Sequence, residues 1–345
     1  MKELIETFDT SDQIEVLKNS FEQIEYAANN IYNLPSSEFQ DVDKIIICGM
    51  GGSAIGGEVV TNLFSNEIDL PIFVNRGYEL QSFSNKNTLV IVSSYSGNTE
   101  ESISAFLQAV NKRCKIISFS TGGKIEELCS AHKLPFIKLK KGYHPRFALY
   151  LITFTLIKIF EKLDLINNQS IFIDECIELL KIKAIDYQKD NSLPVKIANN
   201  FTGFIPIIYG VYDFNNSLAN RIKGQFNENS KLHASFNLLP EMNHNEIIGW
   251  ETFTETAFRT KVIFLIDKEI HPRVKIRFDV LESLLVKKGT EIVKLESNEN
   301  SFALRLLDQI YLADWITYYL ALNRKKDPAE IEYINFLKQE LSKIS

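Results

Sequence analysis

Short apolar runs alternate with helical patterns along the first half of the chain. The runs are four or five residues long, and most of the segments between them have helical spacing of apolar positions. Strands that alternate with helices predict an α/β fold with a doubly wound, mainly parallel sheet flanked by helices. The predicted strands are residues 44–48, 70–74, 88–92, 115–119 and 135–139.

The second half of the chain repeats this order of elements. A strand that ends in glycine precedes a helix, two further strands follow, and a long apolar helix closes the series. The sequence therefore predicts two tandem copies of one α/β unit. The elements of the second copy are the strands 205–210, 262–266 and 291–295 and the helices 218–223 and 302–322.

A polar segment separates the two predicted copies. Residues 188–194 contain a proline and follow a predicted polar helix at 171–187, which makes them the best candidate for a linker. We therefore predict an N-terminal domain at 1–187, which includes an opening amphipathic helix at 14–30, and a C-terminal domain at 195–345.

Length and charge limit the classes of function. The 345 residues suffice for two domains with their own cores, and the net charge of −6 comes without a long basic block. Nucleic acid and anionic membranes are therefore not expected as the main partners.

Nothing in the sequence predicts export or membrane insertion. The N-terminus lacks the apolar core of a signal peptide, and the most apolar stretch, 147–160, is shorter than the roughly 20 residues that span a membrane. The four cysteines form no Cys-x-x-Cys pair, which favours buried, reduced thiols over disulfides or a zinc site. We expect a soluble cytoplasmic protein.

A turn rich in hydroxyl groups follows the strand 88–92 and precedes a helical pattern at 100–110. Backbone N–H groups at a helix start are unpaired and carry partial positive charge, and Gly97 allows a ligand to approach the backbone. One hydroxyl could instead cap the helix. Three hydroxyls within six positions, those of Ser94, Ser96 and Thr99, exceed that need, so the pattern favours a phosphate site.

A glycine-rich turn, Gly49-Met50-Gly51-Gly52-Ser53, follows the first strand. It is either a tight turn that requires small residues or a second ligand contact. A dinucleotide site is disfavoured, because the second strand is not followed by a convincing ribose-binding acid. Since the carboxyl ends of parallel strands meet at one edge, where ligands bind, we expect both turns to lie together there.

Residues capable of proton transfer occur in the second half. Glu228 lies between two asparagines on a predicted helix, and His244 lies between two asparagines in a predicted loop. Amides can fix the ionisation state of a carboxylate, and histidine exchanges a proton near neutral pH. A solvated polar helix and loop explain these residues equally well. Arg146 precedes an apolar helix, and it is either a surface cation or an anion ligand.

Four motifs together resemble the bifunctional phosphoglucose/phosphomannose isomerases, a family built from two sugar-isomerase (SIS) domains. They are Gly49-Met50-Gly51-Gly52-Ser53, Ser94-Tyr95-Ser96-Gly97-Asn98-Thr99-Glu100-Glu101, Asn227-Glu228-Asn229 and Pro240-Glu241-x-x-His244-Asn245-Glu246. The resemblance covers residues 35–340. The first two motifs mark only an SIS domain, whereas the last two point to this family.

The resemblance implies a role for each matching residue. Glu228 matches the base that moves a proton between C1 and C2, and His244 matches the residue that opens the pyranose ring, supplied by the partner subunit of a homodimer. Arg146 matches a basic residue beside the enediol intermediate, and Lys338 a lysine near the ring oxygen. The residues that match the phosphate ligands are Gly52, Ser53, Ser94, Ser96 and Thr99.

The implied reaction is the interconversion of glucose 6-phosphate, and mannose 6-phosphate, with fructose 6-phosphate through a cis-enediolate, with neither metal nor cofactor. Two alternatives stay open. One is an SIS-domain sensor of sugar phosphates, although the chain offers no DNA-binding segment or basic patch. The other is an SIS isomerase of an amino-sugar phosphate. Ala329 stands where the family often has threonine, a departure at the C-terminal edge of the predicted site.

Overall fold

Two parallel sheets organise the chain, each in a compact unit. The computed structural model describes residues 1–251, 259–341 and 343. The five-stranded unit comprises Asn19–Lys181 and Phe302–Leu304, and the four-stranded unit comprises the described parts of Met1–Lys18, Ile182–Ser301 and Arg305–Ser345.

The first unit contains a sheet of order β2-β1-β3-β4-β5 in which every neighbouring pair is parallel. The central strand β3 is buried along its whole length, because apolar groups cover both faces of the sheet. All five predicted strands are confirmed. They are β1 (Lys44–Cys48), β2 (Ile72–Asn75), β3 (Thr88–Ser93), β4 (Lys115–Ser120) and β5 (Phe136–Lys138).

The second unit repeats this topology with four parallel strands in the order β7-β6-β8-β9. The prediction of two tandem α/β copies is therefore confirmed. The sequence does not predict the edge strand β7, because only its last residue is buried and its apolar pattern is weak. The strands are β6 (Ile205–Val211), β7 (Ser235–Leu239), β8 (Thr260–Leu265) and β9 (Glu291–Leu295).

Fourteen α-helices occur in the described residues, and the two longest apolar ones, α7 and α13, are buried along most of their lengths. They are α1 (Lys2–Phe8), α2 (Gln13–Lys18), α3 (Phe21–Asn29), α4 (Gly52–Leu63), α5 (Glu100–Asn111), α6 (Gly123–His132), α7 (Leu149–Lys162), α8 (Ser170–Tyr187), α9 (Leu193–Phe201), α10 (Asn216–Glu228), α11 (Glu246–Gly249), α12 (Pro272–Lys287), α13 (Phe302–Asn323) and α14 (Glu332–Leu341).

The N-terminal segment differs from its prediction. A single helix at 14–30 is wrong, because the segment forms α2 and α3 with a turn between them at Asn19 and Ser20. The break coincides with the passage from one unit to the other. Residues 1–18 belong to the four-stranded unit, since Tyr311 donates a hydrogen bond to the carbonyl of Leu17 at 2.7 Å.

The predicted linker is shorter than expected. Its end, Leu193 and Pro194, forms the first turn of α9, where the missing N–H of proline costs no helical hydrogen bond. Within the described residues, no helix combines the length and the apolar character needed to cross a membrane. All four cysteines are buried and free, which confirms the expectation of buried thiols.

Candidate active site

The glycine-rich turn connects β1 to α4 and depends on its small residues. Gly51 has a φ of +50°, a conformation that favours glycine. A Cβ on Gly49 would lie 2.8 Å from the carbonyl oxygen of Ser93, and a Cβ on Gly52 would lie 2.8 Å from that of Pro145. The turn therefore brings the start of α4 against two other backbone segments.

The hydroxyl-rich turn connects β3 to α5, and its side chains organise the turn itself. Ser94 donates a hydrogen bond to the hydroxyl of Thr99 at 3.2 Å and accepts one from the N–H of Gly97 at 3.2 Å. Ser96 accepts from the N–H of Asn98 at 3.2 Å. Thr99 stands at the N-cap but makes no capping hydrogen bond to any described residue. The capping alternative is therefore not realised by the Thr99 side chain.

Ser53 joins the two turns. Its hydroxyl accepts a hydrogen bond from the N–H of Tyr95 at 3.4 Å, and its carbonyl accepts one from the hydroxyl of Ser93 at 3.4 Å. The five predicted phosphate ligands thus lie on two adjoining turns at the carboxyl edge of one sheet, as expected for neighbouring parallel strands. The arrangement directs two helix N-termini and several hydroxyls to one edge, which suits an anion.

Arg146 lies beside this edge. It belongs to a short 3-10 helix, Pro145–Phe147, whose backbone contacts the start of α4 at Gly52. The side chain is only 3% exposed, and its guanidinium lies 5.2 Å from the ring centroid of Phe147. The alternative of a surface cation is therefore wrong, because the segment before α7 packs into the unit.

The corresponding turn of the four-stranded unit contains ion pairs in place of hydroxyls. After β8, the carboxylate of Asp267 accepts hydrogen bonds from Arg305 at 2.7 and 3.0 Å, and Glu269 accepts one at 2.6 Å. The Arg305 side chain is fully buried. The cation at this turn is thus neutralised by the unit's own carboxylates.

Glu228 is the last residue of α10 and is half-buried. A buried network anchors the helix: Asp314 accepts hydrogen bonds from Arg221 at 2.9 Å and from Gln225 at 2.7 Å. At the helix end, the ammonium of Lys231 donates to the carbonyl of Glu228 at 2.8 Å. The backbone that carries Glu228 is therefore fixed on two sides, with a cation at the negative end of the helix dipole.

His244 ends a short 3-10 helix, Glu241–His244, and is exposed. The neighbouring Asn245 accepts from the N–H of Glu246 at 2.6 Å and donates to Glu241 at 3.1 Å. The Glu246 carboxylate accepts hydrogen bonds from Tyr209 and, at 2.6 Å, from the side chain of Asn237. Burial, followed by the hydrogen bond to Glu246, raises the pKa of Tyr209, so the phenol remains a donor.

Lys338 lies on α14 and is exposed. It therefore stands on a third element of the four-stranded unit, apart from α10 with Glu228 and from the 3-10 helix with His244. Both of the latter elements contact the edge strand β7, which the sequence does not predict. Among the described residues, no group of three or more histidine, cysteine, aspartate or glutamate side chains is arranged to bind a metal.

Two residues to which the sequence assigns no role contact the segment around Arg146. The hydroxyl of Tyr95 and the side-chain amide of Gln23 each make two hydrogen bonds to the backbone of this segment. Tyr95 lies within a recognised motif but carries no predicted role. Gln23 lies 124 positions from its partner Phe147, and no local pattern marks it.

Comparison with known proteins identifies the family. Residues 190–341 match the model of the bacterial phospho-glucose isomerase C-terminal SIS domain. A bifunctional phosphoglucose/phosphomannose isomerase from Caldicellulosiruptor bescii is 36% identical over 334 residues, which cover 91% of this chain and 98% of that relative. This chain belongs to the bifunctional phosphoglucose/phosphomannose isomerase family.

Another relative of this chain is named for a different activity. A D-glucosamine-6-phosphate 4-epimerase from Sulfolobus acidocaldarius is 33% identical over 289 residues, covering 78% of this chain and 88% of that protein. Among solved structures, a hypothetical protein from Thermus thermophilus has a TM-score of 0.74 at 14% identity and covers 99% of this chain and 92% of its own. That likeness shows the fold alone.

Proposed function

We propose that this protein is an aldose–ketose isomerase that interconverts glucose 6-phosphate and mannose 6-phosphate with fructose 6-phosphate, without a metal ion. The observation that carries the proposal is the similarity, along 91% of the chain, to a relative named for both activities. The substrate class is supported independently by the glycine-rich turn and the hydroxyl-rich turn, which provide the chemistry that a phosphate requires.

The phosphate is proposed to bind at the starts of α4 and α5. Ser53, Ser94, Ser96 and Thr99 provide hydroxyls, and Gly52 provides a backbone that a ligand can approach. Hydrogen bonds within the turn fix the donors before the substrate arrives, for example that from Gly97 to Ser94 at 3.2 Å. A site that needs no rearrangement binds its ligand without an additional entropic cost.

Ring opening and proton transfer are proposed for the residues of the four-stranded unit. His244 moves a proton between the O1 and O5 oxygens, and Lys338 lies near the ring oxygen. Glu228 then removes the proton from C2, which leaves a cis-enediolate, and returns it to C1. Arg146 stabilises the negative charge of this intermediate as a fixed cation.

A single base can serve both aldoses. Glucose 6-phosphate and mannose 6-phosphate differ only at C2, where the proton is removed, so both yield the same enediol. Rotation about the C2–C3 bond then presents either face of the intermediate to Glu228. The proposal extends to a homodimer in which the partner subunit contributes His244, and to action in the cytoplasm.

A second candidate is an isomerase or epimerase of an amino-sugar phosphate. It is favoured by one observation, the 33% identity to the relative named D-glucosamine-6-phosphate 4-epimerase. Such an enzyme would use the same phosphate turns, so the turns do not distinguish the two candidates.

One assay separates these activities. Purified protein is incubated in parallel with glucose, mannose and glucosamine 6-phosphates, with and without a chelator, and the products are identified by NMR. The proposal expects fructose 6-phosphate from the first two substrates at rates that the chelator does not change. Conversion of glucosamine 6-phosphate alone would favour the second candidate. Loss of activity with the chelator would refute a metal-independent reaction.

A further inference from the structure

Two side chains of the same unit, those of Tyr95 and Gln23, form hydrogen bonds with the backbone of the segment that carries Arg146. We call residues 140–147 the Arg146 loop; it lies between β5 and α7. Its last part is the 3-10 helix that places Arg146 beside the start of α4. A loop of this length without such attachments would allow the buried guanidinium to shift relative to the phosphate turns.

The first attachment is the hydroxyl of Tyr95. It donates a hydrogen bond to the carbonyl of Lys140 at 3.1 Å and accepts one from the N–H of Tyr143 at 3.0 Å. Tyr95 is itself part of the hydroxyl-rich turn, and its backbone N–H donates to Ser53. A single residue therefore connects the phosphate turns to the Arg146 loop. Burial raises the pKa of Tyr95, which keeps the phenol protonated and able to donate.

The second attachment is the side-chain amide of Gln23 on α3. It donates to the carbonyl of Phe147 at 2.8 Å and accepts from the N–H of Leu151 at 3.1 Å. The residue is completely buried, and the two bonds join the end of the Arg146 loop to the first turn of α7. These bonds satisfy backbone groups at a helix start that would otherwise be unpaired.

The geometry points to Tyr95 and Gln23 as positioning residues that fix Arg146 relative to the phosphate turns. The inference rests on the proposed role of Arg146 beside the enediolate. Because Tyr95 belongs to the phosphate turn, the same element that binds one end of the substrate also sets the place of the cation at the reacting end. A displacement of about 1 Å at such a group lowers turnover by about 100-fold.

Two substitutions test the inference, each with a matched control. Tyr95→Phe removes only the hydroxyl, and Tyr32→Phe is its control, because the buried Tyr32 hydroxyl donates to the carbonyl of Ala27 at 2.8 Å in the same unit. Gln23→Leu removes the amide. Its control is Gln108→Leu, because Gln108 likewise bridges two backbone groups, donating to Tyr78 at 2.8 Å and accepting from Leu80 at 3.0 Å.

Two measurements are made on every variant. The first is steady-state kinetics with fructose 6-phosphate. The second is the affinity for 5-phosphoarabinonate, a five-carbon aldonate whose carboxylate resembles the enediolate, compared with the affinity for inorganic phosphate. We expect Tyr95→Phe and Gln23→Leu to lower kcat by about 10- to 100-fold with KM within about twofold. The affinity for the aldonate should fall by a similar factor, whereas the affinity for inorganic phosphate should stay unchanged.

A double-mutant cycle separates positioning from general damage. In the background of Arg146→Lys, Tyr95→Phe should cause no further loss of kcat, because the group that it positions is already altered. Three results would each overturn the inference. The first is wild-type kcat and aldonate affinity in Tyr95→Phe and Gln23→Leu, the second is an equal loss of kcat in the control variants, and the third is additive losses of kcat in the double-mutant cycle. A wild-type protein that converts no hexose phosphate would refute the proposed function instead, and the aldonate affinities would still decide the inference.

Discussion

Substitution of Gly97 by alanine tests whether the hydroxyl-rich turn depends on its backbone. Gly97 has a φ of +73°, and a Cβ at this position would lie 1.7 Å from the carbonyl oxygen of Gly122. Ordinary van der Waals contact begins at 3.4 Å, so the methyl group would reach only half of the required separation. The atom that it meets is backbone, which cannot move aside without shifting the neighbouring turn.

The expected loss of stability has two parts. The left-handed backbone conformation costs an alanine about 1–2 kcal/mol, and overpacking of a tight contact costs about 1–3 kcal/mol more. We therefore expect Gly97→Ala to lower the free energy of unfolding by about 2–5 kcal/mol. Because the turn must open to relieve the clash, the affinity for fructose 6-phosphate should fall by at least about tenfold.

Gly289→Ala is the matched control. Its φ of +79° is nearly the same, and a Cβ there would meet no atom of a described residue within 4 Å. Urea denaturation and titration calorimetry with fructose 6-phosphate are measured on both variants. The control should lose only the conformational part of the stability and keep its affinity. Equal losses of stability in the two variants, together with unchanged affinity for Gly97→Ala, would refute the reasoning.

Three further perturbations test other parts of the account. Asp314→Ala leaves the buried Arg221 without its carboxylate and should lower the free energy of unfolding by about 3–5 kcal/mol in urea denaturation, whereas a loss below about 1 kcal/mol, as for a surface pair, would contradict this. Lys231→Met removes the ammonium from the carbonyls of Glu228, Asn229 and Asp327 and should cost about 1–3 kcal/mol by the same measurement, so an unchanged value would argue against these contacts. Burial raises the pKa of the Cys48 thiol from 9.0 to about 12. Between pH 9 and 12 the unfolded chain releases this proton while the folded protein keeps it, so the free energy of unfolding falls as the pH rises. The fall in unfolding free energy across that range should be smaller in Cys48→Ala, and equal slopes would contradict the assignment.

The strands are predictable because each buried strand corresponds to a short run of apolar residues in the sequence. β3 and β8 are continuous apolar runs, since parallel strands are covered on both faces. β7 is not predicted because it lies at the edge of its sheet and only the last of its five residues is buried, which leaves no apolar run. The prediction of a single helix at 14–30 is wrong for a different reason. Its amphipathic pattern continues across Ser20, but the two halves pack in different units.

The site was predictable where function concentrates in adjacent residues. The hydroxyls of Ser94 and Thr99 occur within one turn, so the motif itself indicates a phosphate. The burial of Arg146 was not predictable, because it follows from packing of the 3-10 helix against α4. The role of Gln23 is not predictable for the same reason, because its two hydrogen-bond partners lie 124 and 128 positions away in the sequence. Contacts of this kind are set by tertiary structure and leave no local pattern.

The role of Glu228 as the base is the central claim, and hydrogen exchange at C2 tests it most directly. Wild-type protein and Glu228→Gln are incubated with fructose 6-phosphate in D2O, and deuterium in the glucose 6-phosphate product is measured by NMR. We expect the wild type to form product and to place deuterium at C2. Glu228→Gln should bind fructose 6-phosphate with wild-type affinity but show neither turnover nor exchange. Substantial isomerisation by Glu228→Gln would contradict the account.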